Sequence, residues 1–461
     1  MGATGRSARA GGRPHGGLLQ RLSRRIWVER RSVILTAMCL SACMACGNAS
    51  LAAPPRTAAS EAVPVNVVHE GGRYRLFRSG QPYEIRGAGL AGNMEALAAH
   101  GGNSFRTWST NDAGKVLDDA LRLGLTVALC IEIGRERQGF DYDDERAVAA
   151  QLEFARGEVL KYKDHPALLL WIIGNEPNLQ FENPKVFDAI DDISRMIHAL
   201  DRAHPATTAL AGFGKELAGL IDERAPDLDF VSIQMYGDAV NLPRYIEEMT
   251  YRKPYLVTEW GAIGHWEVPT TSWGAPIEQN SSEKAASYRA SYEAIVSDGS
   301  RLLGSFVFLW GQKQERTPTW YGMFLADGSP TGTVDLMHYL WNGAWPDNRS
   351  PRIETMLFDA KTASENIRIA SGGKYTANVI ASDPDGDVLQ YRWEIMRESE
   401  ATQTGGDFEE TPQALQGPID DGAAGRAHVT APNEPGAYRL FVYVHDGRGS
   451  AGHANIPFIV E

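Results

Sequence analysis

The sequence predicts a (β/α)8 TIM barrel, an α/β fold, followed by a small antiparallel β-sandwich of Ig-like type. Short apolar runs alternate with helical patterns eight times over about 280 residues, which is the length and rhythm of such a barrel. After residue 351, period-2 strands separated by turns continue for about 110 residues and indicate the sandwich. A doubly wound sheet is the alternative for the first part, but no glycine-rich dinucleotide fingerprint follows the first strand.

The first 46 residues are predicted to be a signal peptide. Residues 1–31 contain eight arginines and one glutamate, and the apolar run that follows is too short to span a bilayer. Residues 40–43 (LSAC) resemble a bacterial lipoprotein cleavage box in which Cys43 becomes the lipidated first residue. Ordinary cleavage near Ala49 or Ala53 is the alternative. We therefore expect an exported protein, either periplasmic, anchored to the outer membrane through Cys43, or secreted.

Charge and cysteine content exclude several classes of function. The formal net charge of -13 combines +7 in residues 1–31 with about −20 in the rest, so nucleic acid is a disfavoured partner. Three of the four cysteines lie in the leader, and Cys130 alone remains in the folded part. A single thiol forms neither an internal disulfide nor a cysteine metal site, so Cys130 is predicted to be a small buried side chain.

Residues 47–64 are predicted to be a linker, because they are rich in Ala, Pro, Ser and Thr. A hairpin is predicted ahead of the barrel, because a Glu-Gly-Gly-Arg turn separates the short strand patterns 65–69 and 74–77. The catalytic domain, which includes this hairpin, is predicted over residues 65–346. The eight barrel strands are expected at 83–87, 103–108, 126–133, 168–173, 207–212, 228–236, 254–259 and 304–310.

Two of these strands end in a glutamate. The run 168–173 (LLLWII) leads into Gly-Asn-Glu-Pro and places Glu176 at its tip, and the seventh strand ends in Glu259. A single glutamate at a strand end is usually a solvated loop residue. Two glutamates at the C-terminal tips of buried barrel strands favour instead the paired carboxyl groups of a retaining glycosidase.

The other strand tips are also polar or aromatic. Without a His–Asp–His spacing, the set indicates sugar chemistry, and neither a metal nor a cofactor is expected. Glu132 and Arg135 are candidates for an outer subsite, with a salt bridge as the alternative. The predicted tips are Arg106, Glu132, Asn175, Glu176, Gln234, Tyr236, Glu259 and Trp310.

Three segments resemble signatures of retaining β-glycosidases of the large (β/α)8 clan. Residues 101–108 (GGNSFRTW), 165–177 (HPALLLWIIGNEP) and 253–261 (KPYLVTEWG) are most similar to the catalytic barrel of family 2, and to family 5 glucanases and mannanases. The resemblance covers about residues 65–345. Family 2 enzymes usually carry sandwich domains ahead of the barrel, whereas this chain has only a hairpin there.

The resemblance implies a role for each residue of the site. Glu176 would be the general acid/base, and Glu259 would be the nucleophile that forms a covalent glycosyl-enzyme. Asn175 would bond the 2-hydroxyl of the sugar, while Arg106 and Tyr236 would keep Glu259 ionised and oriented. A guanidinium near a carboxyl lowers its pKa, whereas a carboxyl without such a partner stays protonated more easily and can donate its proton.

Four tryptophans at or just after strand ends are predicted to bind substrate, because indole rings can stack on the C–H faces of pyranose rings. They are Trp108, Trp260, Trp266 and Trp310. Burial under a loop is the alternative for each of them. The long loop 261–282 suggests a lid or a subsite wall.

The C-terminal domain is predicted over residues 352–461. Residues 382–387 (SDPDGD) lead directly into a strand and resemble the hairpin of polycystic-kidney-disease and cadherin-like modules. Their three aspartates could bind calcium, but the glycine is misplaced for an EF-hand, so a plain turn is favoured. The sandwich either binds glycan or braces the barrel.

Together these observations predict an exported retaining β-glycoside hydrolase that cleaves an envelope or environmental polysaccharide or oligosaccharide by double displacement. A transglycosylase with the same chemistry is one alternative, and a non-catalytic glycan-binding envelope lipoprotein is the other. The expected partner is a polysaccharide or oligosaccharide, with membrane attachment through lipidated Cys43. The oligomeric state, the sugar and the linkage are left open by the sequence.

Overall fold

The computed structural model describes residues 61–249, 251–403, 405–421 and 425–461. The predicted signal peptide, including Cys43, and most of the predicted linker lie outside these residues, so lipidation stays a prediction. In the described part of the chain, no helix has both the length and the apolar character needed to cross a membrane.

An antiparallel ribbon precedes the barrel, as the hairpin pattern predicted. Gly71 and Gly72 adopt positive φ values of 59 and 76 at its tight turn. Val65 and Leu76 of the ribbon belong to the same buried cluster as Leu170, so the ribbon closes one end of the barrel interior. Its strands are β1 (Val65–Glu70), β2 (Arg73–Arg78) and β3 (Gln81–Pro82).

Eight parallel strands then close into a barrel, which confirms the predicted fold class. Three of these strands, including the two that lead to Glu176 and Glu259, are buried along their whole length, as expected for parallel strands covered on both faces. The barrel strands are β4 (Ile85–Leu90), β5 (Ser104–Arg106), β6 (Thr126–Ile131), β7 (Leu168–Asn175), β8 (Ala206–Ala211), β9 (Val231–Gln234), β10 (Tyr255–Gly261) and β11 (Leu302–Trp310).

Helices cover the outside of the barrel. In the fourth of them Val186, Ile190 and Ile197 form a buried apolar stripe at helical spacing, whereas the seventh begins with a reciprocal cap between Asn280 and Glu283. The helices are α1 (Met94–Ala99), α2 (Ala113–Arg122), α3 (Glu145–Tyr162), α4 (Lys185–Leu200), α5 (Lys215–Arg224), α6 (Leu242–Glu248), α7 (Ser281–Val296) and α8 (Gly332–Asn342).

A histidine on α4 forms hydrogen bonds with the segment that precedes β9. His198 lies 2.8 Å from Asp227 through Nδ1 and 2.9 Å from Asp229 through Nε2. The hydrogen bond to Asp229, supported by the charges of both aspartates, raises the pKa of His198 to about 9. Because the folded-state pKa lies above the unfolded value, the protonated ring stabilises the fold fully below about pH 6.5, and this contribution disappears as pH rises through about 9.

We therefore expect the difference in melting temperature between the wild type and His198→Gln to be largest near pH 6 and to shrink towards pH 10. Thermal unfolding followed by circular dichroism at several pH values measures it. His165→Gln, which removes a histidine facing the exposed Asp118, is the matched control. An equal difference in melting temperature at both ends of the pH range would contradict a stabilising role for protonated His198 between Asp227 and Asp229.

The C-terminal part is a β-sandwich of two four-stranded sheets, β12-β14-β17-β16 and β13-β19-β18-β15, which confirms the predicted second architecture. Phe358, Ile395 and Phe458 are among the side chains buried between the sheets. The strands are β12 (Arg352–Phe358), β13 (Arg368–Ile369), β14 (Lys374–Ser382), β15 (Gln390–Arg397), β16 (Ile419–Asp421), β17 (Arg426–Thr430), β18 (Gly436–His445) and β19 (Ala451–Val460).

The aspartate turn between β14 and β15 brings carboxylate oxygens of Asp383, Asp385 and Asp387 within 4.8 Å of one another. Asp383 Oδ1 accepts hydrogen bonds from the backbone N–H groups of Asp385 and Asp387, the usual arrangement of an aspartate that stabilises a turn. Kinship with polycystic-kidney-disease or cadherin-like modules stays a prediction.

A buried polar network joins the sandwich to the barrel. Asn455 of β19 donates to Glu278 of the barrel and accepts from Arg439 of β18, and Arg439 also donates to the carbonyl of Pro276 in the barrel. Burial opposes the ionisation of Glu278, but the charge of Lys284 holds its pKa well below the usual range. Within the barrel, Glu278 also accepts from Lys284, Thr317 and Thr319.

Candidate active site

A cleft of about 340 Å³ opens where the barrel strands end at their carboxyl termini. This is the face at which barrel enzymes build their active sites, because eight strand–helix loops converge there. Glu176 and Glu259 both line it, together with Asn175, Trp108 and Tyr236, so the structure brings most of the predicted site residues together.

Glu259 is surrounded by hydrogen-bond donors that lie at or just after the ends of two strands, β5 and β9. Its Oε1 accepts from Arg106 Nη1 at 3.0 Å, Trp108 Nε1 at 2.8 Å and Gln234 Nε2 at 3.0 Å. Its Oε2 accepts from the hydroxyl of Tyr236 at 2.7 Å. Arg106 is fully buried, so this is a charge-assisted contact inside the protein, and the four donors fix the orientation of the carboxylate.

Asn175 lies beside this cluster and is held by its carbonyl oxygen. Oδ1 accepts from Arg106 Nη2 at 2.8 Å and from Gln234 Nε2 at 2.7 Å. Because the amide oxygen is occupied, the amide nitrogen is the group that is left to face the cleft. Arg106 and Gln234 therefore orient both Asn175 and Glu259, which makes the four side chains one rigid unit.

Glu176 has the opposite environment. It lies at a sharp turn and has a positive φ of 50°. Gly174, two residues earlier, has a φ of 73°, and a Cβ added to Gly174 would come within 2.6 Å of Ile133. Among the described residues, no group donates a hydrogen bond to its carboxyl oxygens. Burial, followed by the charge of Glu259, raises the pKa of Glu176 to about 7. The Gly-Asn-Glu sequence thus turns the chain so that a poorly solvated carboxyl faces the cleft.

Aromatic rings form the floor of the cleft. Phe308 meets Trp108 edge-on at 5.9 Å between ring centroids and meets Tyr236 edge-on at 5.7 Å. Trp266, from the long loop after β10, packs edge-on against Tyr236 and is 61% exposed, so one of its faces remains open to the cleft and solvent. Trp108 and Trp266 therefore occupy the predicted positions.

The predictions for Trp260 and Trp310 are wrong. Trp260 is fully buried and packs against Tyr288 and Tyr292 of α7, because alternation along β10 turns the residue after Glu259 to the outer face. Trp310 is also fully buried and stacks on Trp341 of α8. The pairing of β11 with β4 shifts register between Val307 and Trp310, so the alternation expected for a regular strand does not hold there.

Several cleft residues escaped the sequence reasoning. Phe308 is the cleft aromatic of the last strand, two residues before Trp310. Lys313 and Glu315, paired at 2.7 Å, come from the loop after β11, and burial raises the pKa of Glu315. A strand-end rule could have found Phe308, but the loop residues have no local signal. Arg135, a predicted outer-subsite residue, also lines the cleft, and the remaining lining residues are Ala91, Leu309, Tyr321, Gly405, Gly406 and Asp407.

Comparison with known proteins agrees with the barrel. Residues 91–266 match the family model described as "Glycosyl hydrolases family 2, TIM barrel domain". A curated protein, the probable mannan endo-1,4-beta-mannosidase A-2 of Aspergillus terreus, is 27% identical over 126 residues. That alignment covers 27% of this chain and 30% of the relative, so the chain spans less than a third of that protein.

The solved structures to which this chain is similar include two β-glucuronidases. The enzyme of Dictyoglomus thermophilum is 17% identical with a TM-score of 0.47, and the match covers 61% of this chain and 54% of that one. The enzyme of Bifidobacterium dentium, complexed with coumarin-3-O-glucuronide, is 18% identical with a TM-score of 0.49, covering 61% of this chain and 50% of that one.

Proposed function

We propose that the protein is a retaining β-glycoside hydrolase with Glu259 as nucleophile and Glu176 as general acid/base. One observation carries the proposal: two carboxyl groups in the same cleft have contrasting surroundings. Four donors, one of them a guanidinium, hold Glu259, whereas no described residue donates to the carboxyl of Glu176, which has a pKa of about 7. Such a pair divides the roles of nucleophile and acid between two residues of the same chemical type.

The first step forms a covalent intermediate. Glu259 Oε2, whose one donor among the described residues is Tyr236, attacks the anomeric carbon while the bond from that carbon to the leaving oxygen breaks. Glu176 gives its proton to the leaving oxygen, so the aglycone departs as an alcohol. Glu176 then takes a proton from water, the hydroxide oxygen bonds to the anomeric carbon, and the ester to Glu259 breaks. Two inversions give net retention.

The surrounding residues position the sugar. The amide nitrogen of Asn175, which donates to none of the described residues, is suited to donate to the 2-hydroxyl, a contact that strengthens in the transition state. Trp108, Phe308 and Trp266 offer apolar ring surfaces to the C–H faces of a pyranose. Together with the predicted export signal, this supports an envelope or environmental polysaccharide or oligosaccharide as the substrate.

A test combines activity with stereochemistry. The protein should hydrolyse at least one member of a panel of activated aryl β-glycosides that includes mannosides, glucosides, galactosides and glucuronides. Proton NMR of the reaction in its first minutes should then show the β-anomer before mutarotation. First formation of the α-anomer would contradict the nucleophilic role of Glu259. A protein that binds glycans but hydrolyses none would favour the non-catalytic alternative.

A further inference from the structure

The sandwich extends into the cleft of the barrel. Residues 405–409, which we call the sandwich loop, lie on the connection between β15 and β16. Asp407 forms a bidentate pair with Arg137, with Oδ2 at 2.6 Å from Nη1 and Oδ1 at 3.2 Å from Nη2. Gly405, Gly406 and Asp407 all line the cleft that contains Glu176 and Glu259.

The loop is attached to the barrel at two separate places. On one side Asp407 contacts Arg137 and Gln138, which follow β6. On the other side Gly406 accepts a hydrogen bond from Lys313 at 3.3 Å, and Glu409 accepts one from the backbone N–H of Arg316 at 2.8 Å. Both of these partners follow β11, so the loop crosses the rim from β11 to β6.

The strands between these two attachments are β4 and β5, in the closed order of the barrel. Their own connections are short: α1 begins at Met94 after β4 ends at Leu90, and α2 begins at Ala113 after β5 ends at Arg106. The barrel therefore builds little wall over β4 and β5. The sandwich loop contacts the segments that follow the two flanking strands, β11 and β6.

Close packing fixes the loop in this position. A Cβ added at Gly405, which has φ 63, would lie 2.7 Å from Leu179 and 2.9 Å from the guanidinium of Arg137. The side chain of Arg137 is only 6% exposed and that of Asp407 is 32% exposed, so the pair is partly shielded from solvent. The module behind the loop is held by the network around Glu278 and Arg439 described above, so the loop projects from a fixed base.

We infer that the sandwich loop is the wall of the substrate cleft over β4 and β5, with Asp407 as the residue that positions it. The inference rests on the proposed function. The wall contacts the bound glycoside and blocks extension of the sugar chain over β4 and β5, so the enzyme acts at chain ends. The sandwich is then a part of the active site and of its substrate selection.

Asp407→Ala should raise the KM for a small aryl glycoside roughly 3–10-fold, the effect of losing about one hydrogen-bonded contact, with kcat within about twofold of wild type. The ratio of activity on a long polysaccharide to activity on the aryl glycoside should rise. Asp407→Asn, which keeps the shape and can bond to Arg137, should recover part of the loss. The double variant Arg137→Ala/Asp407→Ala removes both members of the ion pair. It tests the same loss of contact if Asp407→Ala alone fails to fold.

The matched control is Glu434→Ala, which removes an exposed partner of Arg397 elsewhere on the sandwich and should leave all parameters unchanged. A second readout needs no substrate. Hydroxyl-radical footprinting should show about twofold more labelling of Trp108 and Phe308 in Asp407→Ala, with Trp345 as the unchanged reference.

The possible results separate this inference from the proposed function. Unchanged footprinting, or a KM equal to that of the Glu434→Ala control in an active enzyme, would overturn the wall and leave the hydrolase intact. A wild type inert on every glycoside would overturn the hydrolase, while increased labelling of Trp108 and Phe308 would still place the loop over the cleft.

Discussion

Replacing Glu259 with alanine is expected to reduce turnover of an activated aryl β-glycoside by on the order of 10⁴-fold or more. The covalent intermediate needs this carboxylate, and in the described structure no other carboxylate is held by the same four donors. Glu259→Gln should lose a similar amount of activity and unfold at a temperature closer to wild type. Both variants remove the negative charge, but glutamine keeps an amide oxygen that can accept from the buried guanidinium of Arg106, whereas alanine does not.

Azide gives a positive test of the same role. In Glu259→Ala, azide can enter the space left by the carboxylate, displace the aglycone once and release an α-glycosyl azide, which NMR identifies. Glu132→Ala is the matched control, because Glu132 follows a barrel strand but is exposed and does not line the cleft. Activity of Glu259→Ala within tenfold of wild type, or a β-azide product, would exclude Glu259 as the nucleophile.

Replacing Glu176 with alanine should have the second-largest effect, and its size should depend on the leaving group. Glycosides with poor leaving groups should react about 10²–10⁴-fold more slowly, the usual contribution of a general acid. A dinitrophenyl glycoside, whose leaving oxygen needs no proton, should lose much less in the first step. Added azide should restore turnover with a β-glycosyl azide as product, since Glu259 is still present.

The pH profile connects this variant to the environment of the residue. Glu176 is active as an acid when protonated, and its pKa of about 7 means that kcat/KM of wild type should fall tenfold per pH unit above that value. The alkaline limb should disappear in Glu176→Ala. Persistence of the limb, or an equal loss for good and poor leaving groups, would contradict its role as the acid.

The barrel and its two glutamates could be predicted because their signals are local. A fully buried strand such as β7 needs an unbroken apolar run, and the polar residues that follow it must lie at the strand tip. Glu176 and Glu259 could therefore be placed from their own neighbours in sequence, and Arg106 and Tyr236 followed from the same rule.

The wrong and missing predictions concern features that depend on strand register or on residues far apart in the chain. Trp310 was misplaced because β11 breaks its register near its end, which the composition of the strand does not reveal. Asp407 was missed because its partner Arg137 is 270 residues away in the chain. Contacts between modules depend on how two surfaces fit, and neither periodicity nor a short motif records that fit.

The network around Glu278 has a consequence for how such a protein can diverge. Its carboxylate, fully buried, takes donors from both modules, with Lys284 on one side and Asn455 on the other. A change at Asn455 would leave a buried carboxylate short of a donor, which costs more than the loss of an exposed contact. Mutations on the two sides must therefore compensate one another, and a sandwich borrowed from another protein would fit only if it brought matching polar partners. We therefore expect the barrel and the sandwich to change together.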